Sequence, residues 1–317
     1  MTQTAIIIVS WNSCEDLRLC LESLKGNIPQ NCEILVVDNA STDETPRMVK
    51  RDFPWVRLLA QRENLGFARA NNLGASSTDA EYLMILNPDT RVYPEAIPSL
   101  ISFLEETPRA GLAAPLLVDK DESPIPSVFR FPSIWNYWTE HSFFLWIREK
   151  IRKKRSLSVH QDKGFSCPNE PQEIDWATGA AFLVRRRALG DDPLFDERFF
   201  MYSEDADLCK RLCAKGWKRF YVPSSRVLHS HRGSSGKALA RTIVHLFQSL
   251  DLYFALHKGR FKRFLLRCFI CLDMFIRLLL LMILPRKQAF HADNEERRKA
   301  YREVIRTLHP FRLKTSR

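Results

Sequence analysis

With 317 residues, 45% of them hydrophobic and 27% charged, the chain is long enough to bury the core of one large domain or of two modest ones. Its formal net charge of +11 is concentrated at one end, because residues 258–317 hold 16 Lys and Arg against 5 Asp and Glu, whereas the residues before them carry equal numbers of both signs. A basic tail of this kind indicates an anionic surface partner and argues against an electropositive active site.

The first 118 residues are predicted to alternate strands with helices. The N-terminus has no basic segment and enters an apolar run at once, which is typical of a first core strand and not of a signal peptide. Strands are predicted at residues 5–9, 33–37, 56–60 and 82–86, and helices at residues 15–24, 46–51 and 68–76. Strands separated by helices of this length imply right-handed crossovers and a mostly parallel sheet.

Polar segments follow three of the predicted strands. They are Ser10–Asn12, Asp38–Ser41 and Asn87–Asp89. Ligands of open parallel sheets bind in the crevice beyond the carboxyl ends of the strands, so these segments are expected to share one rim. There is neither a Gly-x-Gly-x-x-Gly turn after the first strand nor a Gly-Lys-Ser/Thr loop, which argues against a Rossmann dinucleotide enzyme and a P-loop NTPase.

Residues 119–175 differ in character from the segments on either side. They carry several Pro, Trp and Phe residues and the basic run 148–155. We expect an irregular excursion that covers part of the site on its acceptor side. Regular structure is expected to return near Ile174, with a core strand at residues 179–184.

Three carboxylates lie close together after an aromatic run. Glu204, Asp205 and Asp207 precede Leu208 and Leu212, and the spacing of the two leucines predicts a helix that begins at the acids. The positive end of a helix macrodipole stabilises carboxylates and by itself can explain them. The further acids at the strand ends instead favour a metal-assisted site on which all three clusters converge.

The eight cysteines show neither a disulfide framework nor a zinc site. Cys209 and Cys213 are one helical turn apart, and Cys268 and Cys271 have no His or second Cys pair beside them. We therefore expect reduced thiols in a cytosolic protein.

Several short motifs occur in an order that is typical of one family. They are Ile8-Val9-Ser10-Trp11-Asn12, Val36-Val37-Asp38-Asn39-Ala40-Ser41-Thr42-Asp43, Glu63-Asn64-Leu65-Gly66-Phe67-Ala68, Asn71-Asn72-Leu73-Gly74, Leu86-Asn87-Pro88-Asp89, Thr178-Gly179-Ala180, Ser203–Leu208 and His229–Ser235. Over residues 4–236 the chain resembles the family 2 glycosyltransferases, and its third and fourth motifs are especially similar to the rhamnosyltransferase-like branch. The resemblance implies the GT-A fold, an α/β fold in which a mostly parallel, Rossmann-like sheet is flanked by helices.

The resemblance also implies a divalent cation, Mg²⁺ or Mn²⁺, held by Asp89 and His229. Such a cation binds hard oxygen ligands and offsets the charge that develops on a departing diphosphate. His231 shares a strand face with His229 and is the alternative ligand. Asn87 stands where the family usually has the first Asp of an Asp-x-Asp motif, and its amide carbonyl can contact the ribose or the metal.

The resemblance further assigns the general base to Asp205, with Glu204 as the second candidate. Direct attack by the acceptor hydroxyl would invert the anomeric centre. The expected contacts with the nucleotide-sugar are Ser10, Asn12, Asp38, Asn64, Asn87 and Arg232. Trp176 and Gly179 are expected to border the acceptor.

Residues 264–284 form a mostly apolar run that is long enough to cross a bilayer, but Arg267, Asp273 and Arg277 interrupt it. At about 100° per residue, these charges and those of residues 260–263 fall within about 160° of arc. We expect an interfacial helix whose cations face anionic lipid, with a soluble core helix and a membrane span as the alternatives. The basic segment 286–317 fits the same membrane surface.

Together these features predict a transferase domain at residues 1–240 and a basic, amphipathic, membrane-associating helical extension at residues 241–317. We expect an inverting hexosyltransferase that is peripheral to the cytoplasmic face of the inner membrane. It would move a sugar, with rhamnose from dTDP-rhamnose favoured by the resemblance, to a lipid-linked glycan in cell-surface polysaccharide synthesis, such as that of lipopolysaccharide.

Three alternatives stay open on the sequence. They are a transferase that uses another donor such as a UDP-sugar, a sugar nucleotidyltransferase, and a non-enzymatic protein that binds an anionic surface or nucleic acid. The loop Trp11–Cys14 lacks the Gly-rich, basic character that nucleotidyltransferases use to hold a triphosphate. Acids at the sheet rim would repel phosphate without a metal, so no nucleic-acid partner is expected.

Overall fold

The computed structural model describes residues 3–141, 168–230, 239–283 and 291–310. The chain divides into two compact units. The first unit comprises Met1–Phe131, Asp162–Phe200 and Glu204–Ser234, and the second comprises Pro132–Gln161, Met201–Ser203 and Ser235–Arg317. The described residues 132–141 thus belong with the C-terminal helices and not with the sheet.

The first unit contains one large mixed sheet. Its strands are β1 (Thr4–Ser10), β2 (Cys32–Asp38), β3 (Arg57–Ala60), β4 (Tyr82–Leu86), β5 (Thr90–Val92), β6 (Ala110–Val118), β8 (Gln172–Glu173), β10 (Ala181–Arg185) and β11 (Lys218–His229). The strand order is β3-β2-β1-β4-β10-β6-β11-β5, with β8 paired to β11. A separate two-stranded sheet joins β7 (Val128–Phe129) to β9 (Trp176–Ala177).

The N-terminal half of the sheet is parallel, as the alternation of strands and helices predicts. β1 pairs in parallel with β2 and β4, and β2 pairs in parallel with β3. β10 then runs antiparallel to both β4 and β6, whereas β11 is parallel to β6 and antiparallel to β5 and β8. The insertion of β10 therefore brings the start of that strand beside the end of β4, at the rim where ligands of such sheets bind.

Helices pack on the sheet and bury its apolar faces. In the first unit they are α1 (Cys14–Leu24), α2 (Thr45–Asp52), α3 (Phe67–Ser76), α4 (Ala96–Glu106) and α6 (Glu204–Ala214). α1 buries Leu17, Cys20, Leu21 and Leu24, whose spacing of three and four residues predicts one apolar face. The segment 5–8 in β1 is completely buried, as expected of a central parallel strand that is covered on both faces.

The strand predicted at residues 179–184 begins later, at Ala181. Gly179 and Ala180 form a turn. The Gly179 amide N–H donates to the side chain of Asp205 and is therefore unavailable to a β ladder. The strand boundary is set here by a tertiary contact, which local sequence does not reveal.

The described part of residues 119–175 contains more regular structure than the expected irregular excursion. β7 pairs antiparallel with β9, with Phe129 opposite Trp176. A further helix, α5, spans Ile134–His141. The basic run 148–155 lies outside the described residues.

The second unit is mostly helical where the structure describes it. Besides α5 it contains α7 (Leu239–His257), α8 (Gly259–Ile283) and α9 (His291–Leu308), and these three helices pack against one another. Among the described helices, none is long and apolar enough to cross a membrane.

The outward orientation expected for the cations of α8 is wrong for Arg263, Arg267 and Arg277, whereas Arg260 and Lys262 are exposed. Arg263 and Arg267 both donate to Asp251 on α7, with N–O distances of 2.6–2.9 Å. Arg277 donates to Asp273 at 2.9 Å. These three cations are therefore turned towards neighbours in the second unit, where carboxylates on α7 and on α8 itself pair with them.

Candidate active site

The polar segments after β1, β2 and β4 lie at one edge of the sheet in the first unit, as predicted. Parallel pairing places Ser10 in register with Asp38. Antiparallel pairing brings the start of β10 to the same edge. The backbone N–H of Asn87 donates to the Ala180 carbonyl at 2.8 Å and joins the end of β4 to the start of β10.

Asn12 holds the loop that follows β2. Its backbone N–H donates to Ser41 Oγ at 2.9 Å, and its side-chain Oδ1 accepts from the Thr42 N–H at 2.7 Å. Ser10 is completely buried, and its Oγ lies 2.8 Å from Ser13 Oγ. Both predicted nucleotide contacts thus have a role in loop structure, and direct contact with a nucleotide stays a prediction for each.

The two carboxylate oxygens of Asp38 differ in their hydrogen bonds. Its Oδ2 accepts from the Ser41 N–H at 3.2 Å. Its Oδ1 is buried, and no donor within the described ranges forms a hydrogen bond to it. Burial raises the pKa of Asp38, although the hydrogen bonds from Ser41 oppose the rise. A buried acceptor without a donor costs free energy, so Oδ1 is suited to accept from an N–H or O–H group of a ligand.

Asn64 belongs to a network organised by Asn39, a residue to which the motifs alone assign no role. Asn39 Nδ2 donates to Asn64 Oδ1 at 3.0 Å and to the Gly66 carbonyl at 3.2 Å. Asn39 Oδ1 accepts from the Leu65 N–H at 2.8 Å. The sequence signals for this residue are its place in the motif Val36–Asp43 and its position directly after Asp38, at the end of a buried strand.

Gly66 is required by a close approach of two segments. Its φ is +80°, and a Cβ atom there would lie 2.7 Å from both the ring and the carbonyl oxygen of Phe200. The Phe67 N–H donates to the same carbonyl at 2.8 Å. The turn before α3 is thereby bound to the segment that leads towards α6.

Asp89 and His229, the two predicted metal ligands, are neighbours in space although they lie far apart in the chain. His229 Nε2 is 3.2 Å from Asp89 Oδ1, and the side chains are 11% and 9% exposed. The pairing of β5 with the end of β11 and a hydrogen bond of 3.0 Å from the Ser230 N–H to the Asp89 carbonyl hold them together. His231 and Arg232 lie outside the described residues, and within the described residues no three His, Cys, Asp or Glu side chains form a cluster able to hold a metal ion.

Asp205 is held by two backbone N–H groups. Its Oδ2 accepts from Gly179 at 3.0 Å, and its Oδ1 accepts from Ala206 at 2.8 Å. The two hydrogen bonds fix the orientation of the carboxylate at the first turn of α6. Asp205 is 8% exposed, so it is oriented by the backbone without being sealed off.

Glu204 has a different environment from its neighbour. It is buried, and its Oε2 has no hydrogen-bond partner in the part of the chain that the structure describes. Burial raises the pKa of Glu204 well above its usual range, and the adjacent Asp205 raises it further. Asp207 instead accepts a hydrogen bond of 2.8 Å from Arg211. The three acids at the start of α6 therefore lie in unlike environments.

Trp176 and Gly179 differ in how well they suit an acceptor site. Trp176 is buried, its Nε1–H donates to the Arg130 carbonyl at 2.8 Å, and its ring centre lies 4.8 Å from that of Phe129. The indole N–H and one ring face are therefore occupied by contacts within the first unit. At Gly179 a Cβ atom would lie 3.3 Å from the Phe67 ring and at an ordinary contact distance of 3.9 Å from Asp205 Oδ2, so the close approach at this glycine is that of Phe67.

A cavity of about 1130 Å³ lies in the first unit, lined in part by Arg62, Arg69, Arg186 and Glu197. None of the predicted site residues that the structure describes lines it. Arg186 donates to backbone carbonyls of Ala75, in the last turn of α3, and of Thr78 and Ala80 after it, so it serves to hold that segment. Size alone does not make this cavity the reaction site.

Comparison with known proteins identifies the family to which the chain belongs. Residues 5–167 match the family model for glycosyl transferase family 2. The chain is 33% identical over 265 residues to N-acetylglucosaminyl-diphospho-decaprenol L-rhamnosyltransferase of Mycobacterium tuberculosis, an alignment that covers 79% of this chain and 83% of that protein. It is 28% identical over 233 residues to rhamnosyltransferase WbbL of Escherichia coli, covering 71% of this chain and 82% of that one.

The fold is similar to that of GalNAc-T7, which was solved with UDP, GalNAc and Mn²⁺. The TM-score is 0.58 at 16% identity, and the match covers 96% of this chain and 56% of that protein, so this chain spans little more than half its length. This likeness confirms the GT-A type of α/β fold, with a central sheet flanked by helices. The family model covers about half of the chain and a relative exceeds 30% identity over most of it, so the chain belongs to glycosyl transferase family 2 and is a glycosyltransferase.

Proposed function

We propose that this enzyme transfers a rhamnosyl group from a nucleotide-diphospho-rhamnose, with dTDP-rhamnose as the first choice, to a lipid-linked diphosphate glycan with inversion at the anomeric carbon. The names of the Mycobacterium tuberculosis and Escherichia coli relatives support the sugar, and the first also supports a diphospho-polyprenol acceptor. Within this chain the proposal rests on one observation. Asp205 lies buried at the start of α6, with a backbone N–H from Gly179 orienting its carboxylate.

Asp205 is proposed to act as the general base. The acceptor oxygen forms a bond to the anomeric carbon while the bond from that carbon to the diphosphate oxygen breaks. The acceptor proton passes to the Asp205 carboxylate, and the electron pair of the broken bond leaves with the nucleoside diphosphate. Because a carboxylate oxygen has two lone pairs, the hydrogen bonds from Gly179 and Ala206 leave capacity for this proton.

Asp89 and His229 would hold the divalent cation. A carboxylate oxygen and an imidazole nitrogen 3.2 Å apart form a donor set that suits Mn²⁺, and the carboxylate also suits Mg²⁺. When bound, the cation would neutralise negative charge on the leaving diphosphate. Two protein ligands leave room for diphosphate oxygens, and Asn87 in place of an acid makes this rim less negative than two carboxylates would.

Asp38 is the proposed contact to the nucleoside. Its buried Oδ1 can accept from a pyrimidine N–H or a ribose hydroxyl. Asn64, oriented by Asn39, is the second proposed contact. Ser10, Asn12 and Arg232 complete the proposed donor-side set.

The peripheral location on the cytoplasmic face of the membrane is part of the same proposal. Nucleotide-sugars are water-soluble, whereas a glycan on a long polyprenol remains in the bilayer. An enzyme that joins the two works at the boundary between them.

Donor screening tests the proposal directly. Thermal unfolding is followed with dTDP-, UDP- and GDP-sugars, each with and without Mn²⁺ or Mg²⁺, because a ligand that binds only the folded state raises the melting temperature by mass action. We expect the largest rise with dTDP-rhamnose plus a cation. Product analysis by NMR with a diphospholipid acceptor should show an inverted anomeric centre.

Two results would contradict the proposal. If no nucleotide-sugar raises the melting temperature, the donor site is wrong. If transfer occurs with retention of configuration, Asp205 does not act as the base of a direct displacement. If the largest rise occurs with a UDP-sugar, the donor is a UDP-sugar and not dTDP-rhamnose.

A further inference from the structure

The exposed face of α8 is apolar. Phe261 is 72% exposed, Phe275 is 53% exposed and Met282 is 61% exposed. The set of exposed large apolar residues on this helix, here called the α8 stripe, consists of Phe261, Phe264, Leu272, Phe275, Leu279 and Met282. Their spacing of three, four, seven and eight residues places them on one side of the helix.

The opposite face of α8 packs inside the second unit. Leu266, Ile270 and Met274 are completely buried there. The same side carries Arg263 and Arg267, whose guanidinium groups share an ion pair with Asp251. A surface helix of a water-soluble protein normally shows the reverse pattern, with charges outward and a single apolar face inward. Exposed apolar stripes of this size mark interaction surfaces.

Two cations lie at the edges of the α8 stripe. Arg260 and Lys262 precede and follow Phe261, so at about 100° per residue they project on either side of it. Both are exposed, and no ion pair within the described ranges involves them. Cations beside an apolar stripe complement anionic lipid headgroups.

We propose that the α8 stripe is a membrane-docking surface that inserts into the headgroup and acyl boundary of an anionic bilayer, with Arg260 and Lys262 at the level of the lipid phosphates. Such helices lie in the plane of the membrane, with their apolar faces about 5–10 Å deep. From Phe261 to Met282 the stripe is about 32 Å long at 1.5 Å per residue.

This surface is the reverse of the one expected from the sequence. Most cations of α8 serve internal ion pairs, and apolar side chains supply the contact with lipid. The inference rests on the proposed function, because a lipid-linked acceptor is what would bring the enzyme to a membrane. The contact with lipid is argued from the exposure of the α8 stripe and from the charges of Arg260 and Lys262, all within the second unit.

Vesicle flotation tests the inference with the full-length protein and no sugar nucleotide. Wild-type protein should float with vesicles of phosphatidylglycerol and phosphatidylcholine, and bind pure phosphatidylcholine more weakly. The triple variant Leu272→Gln/Phe275→Gln/Leu279→Gln keeps the net charge and uses a good helix former, so it removes only apolar surface. We expect its partition onto the mixed vesicles to fall at least about tenfold.

Two further variants separate the two parts of the contact. Arg260→Gln/Lys262→Gln should lose most of the preference for phosphatidylglycerol and retain binding through the stripe. Trp55→Gln is the matched control, because Trp55 is 43% exposed in the first unit and its replacement removes an exposed apolar side chain elsewhere. This control should float like the wild type. Circular dichroism and melting temperature establish that each variant is folded.

The inference is overturned if the wild type does not float, or if the folded triple variant floats like the wild type. It is also overturned if the triple variant instead converts a dimer into a monomer in sedimentation analysis, because a second copy would then cover the stripe. Transfer to a water-soluble acceptor analogue distinguishes this failure from failure of the proposed function. Such transfer should be unchanged in the triple variant, and its absence in the wild type would count against the transferase proposal alone.

Discussion

The Gly179 amide N–H donates a hydrogen bond of 3.0 Å to Asp205 Oδ2, and this contact joins the turn before β10 to the first turn of α6. Next to Gly179, Ala180 accepts from the Asn87 N–H, and Asn87 lies two positions before Asp89. Backbone groups thus connect the proposed base to the segment that carries the proposed metal ligand. The position of the carboxylate depends on main-chain geometry and tolerates little change in the turn.

Replacement of Asp205 by Asn should abolish most of the activity. We expect kcat to fall by about two to four orders of magnitude, because an amide cannot accept the acceptor proton. The melting temperature with bound donor should change little, since Asn can retain one of the two backbone hydrogen bonds through its carbonyl oxygen. Near-normal turnover in this variant would remove Asp205 from the mechanism.

Glu204→Gln should have a much smaller effect on kcat than Asp205→Asn. Burial raises the pKa of Glu204 well above its ordinary value of 4.5, so the group carries a proton over a range in which other carboxyl groups are ionised, and Gln is a close mimic of that form. A raised pKa in the folded state means that folding stability falls as pH rises from 4.5 through the folded pKa.

Chemical denaturation as a function of pH measures this effect. The Glu204→Gln variant should match the wild type below about pH 4.5 and become the more stable protein as pH rises. Equal pH dependence in the two proteins would show that Glu204 is not held protonated in the native state.

Asp89→Asn and His229→Gln should raise the concentration of Mn²⁺ needed for half-maximal activity. Each removes one of two neighbouring ligands, and we expect a shift of at least about tenfold. Isothermal titration with Mn²⁺ and a nucleotide diphosphate measures the affinity without turnover. His245→Gln, which changes a histidine of the second unit, is the control and should leave the metal dependence unaltered.

Asn39→Ala should loosen the turn before α3. It removes three hydrogen bonds, to Asn64, Leu65 and Gly66, and is expected to cost about 1–3 kcal/mol of unfolding free energy. If this turn supports the nucleotide, KM for the donor should rise about tenfold while kcat changes less. A loss of stability with no change in KM would make Asn39 a purely structural residue.

Asp251→Asn should destabilise the second unit by about 1–3 kcal/mol, because it leaves Arg263 and Arg267 partly buried without their carboxylate. Burial raises the pKa of Asp251, but hydrogen bonds from Arg267 and Arg263 outweigh that effect and hold it below its usual range. A lowered folded pKa means that the stabilisation is present above pH 3.8 and is lost as pH falls below it.

The gap in melting temperature between wild type and Asp251→Asn should therefore be constant above about pH 5 and narrow in stronger acid. Arg260→Gln, at an exposed position on the same helix, is the control and should leave the melting temperature unchanged. A constant gap down to low pH would mean that Asp251 is not ionised in the ion pair.

Much of the fold could be predicted because its signals are local. The apolar run of β1 and the spacing of Leu17, Cys20, Leu21 and Leu24 specify a buried strand and a helix face wherever they occur. The carboxyl ends of parallel strands meet at one rim by geometry, which is why Ser10 and Asp38 could be placed side by side. The antiparallel entry of β10 and the pairing of β7 with β9 could not be predicted, because they depend on partners far away in the chain.

In the candidate site, too, some residues could be predicted from local sequence and others depend on distant partners. The motifs picked out Asp89, His229 and Asp205, but they also picked out Trp176, whose indole N–H is bound to a backbone carbonyl. They assigned nothing to Asn39, which organises the turn around Asn64. A motif specifies residue types, whereas the partner of each polar atom is specified only by the folded chain.

The sequence by itself determined the order of the first four strands and three helices, the family and the segregation of charge to one face of α8, because each depends on residues near one another in the chain. Only the tertiary structure decided that this charged face turns inward. The reason is physical: Asp251 on a neighbouring helix offers Arg263 and Arg267 a carboxylate at hydrogen-bond distance, and the α8 stripe is left to face outward.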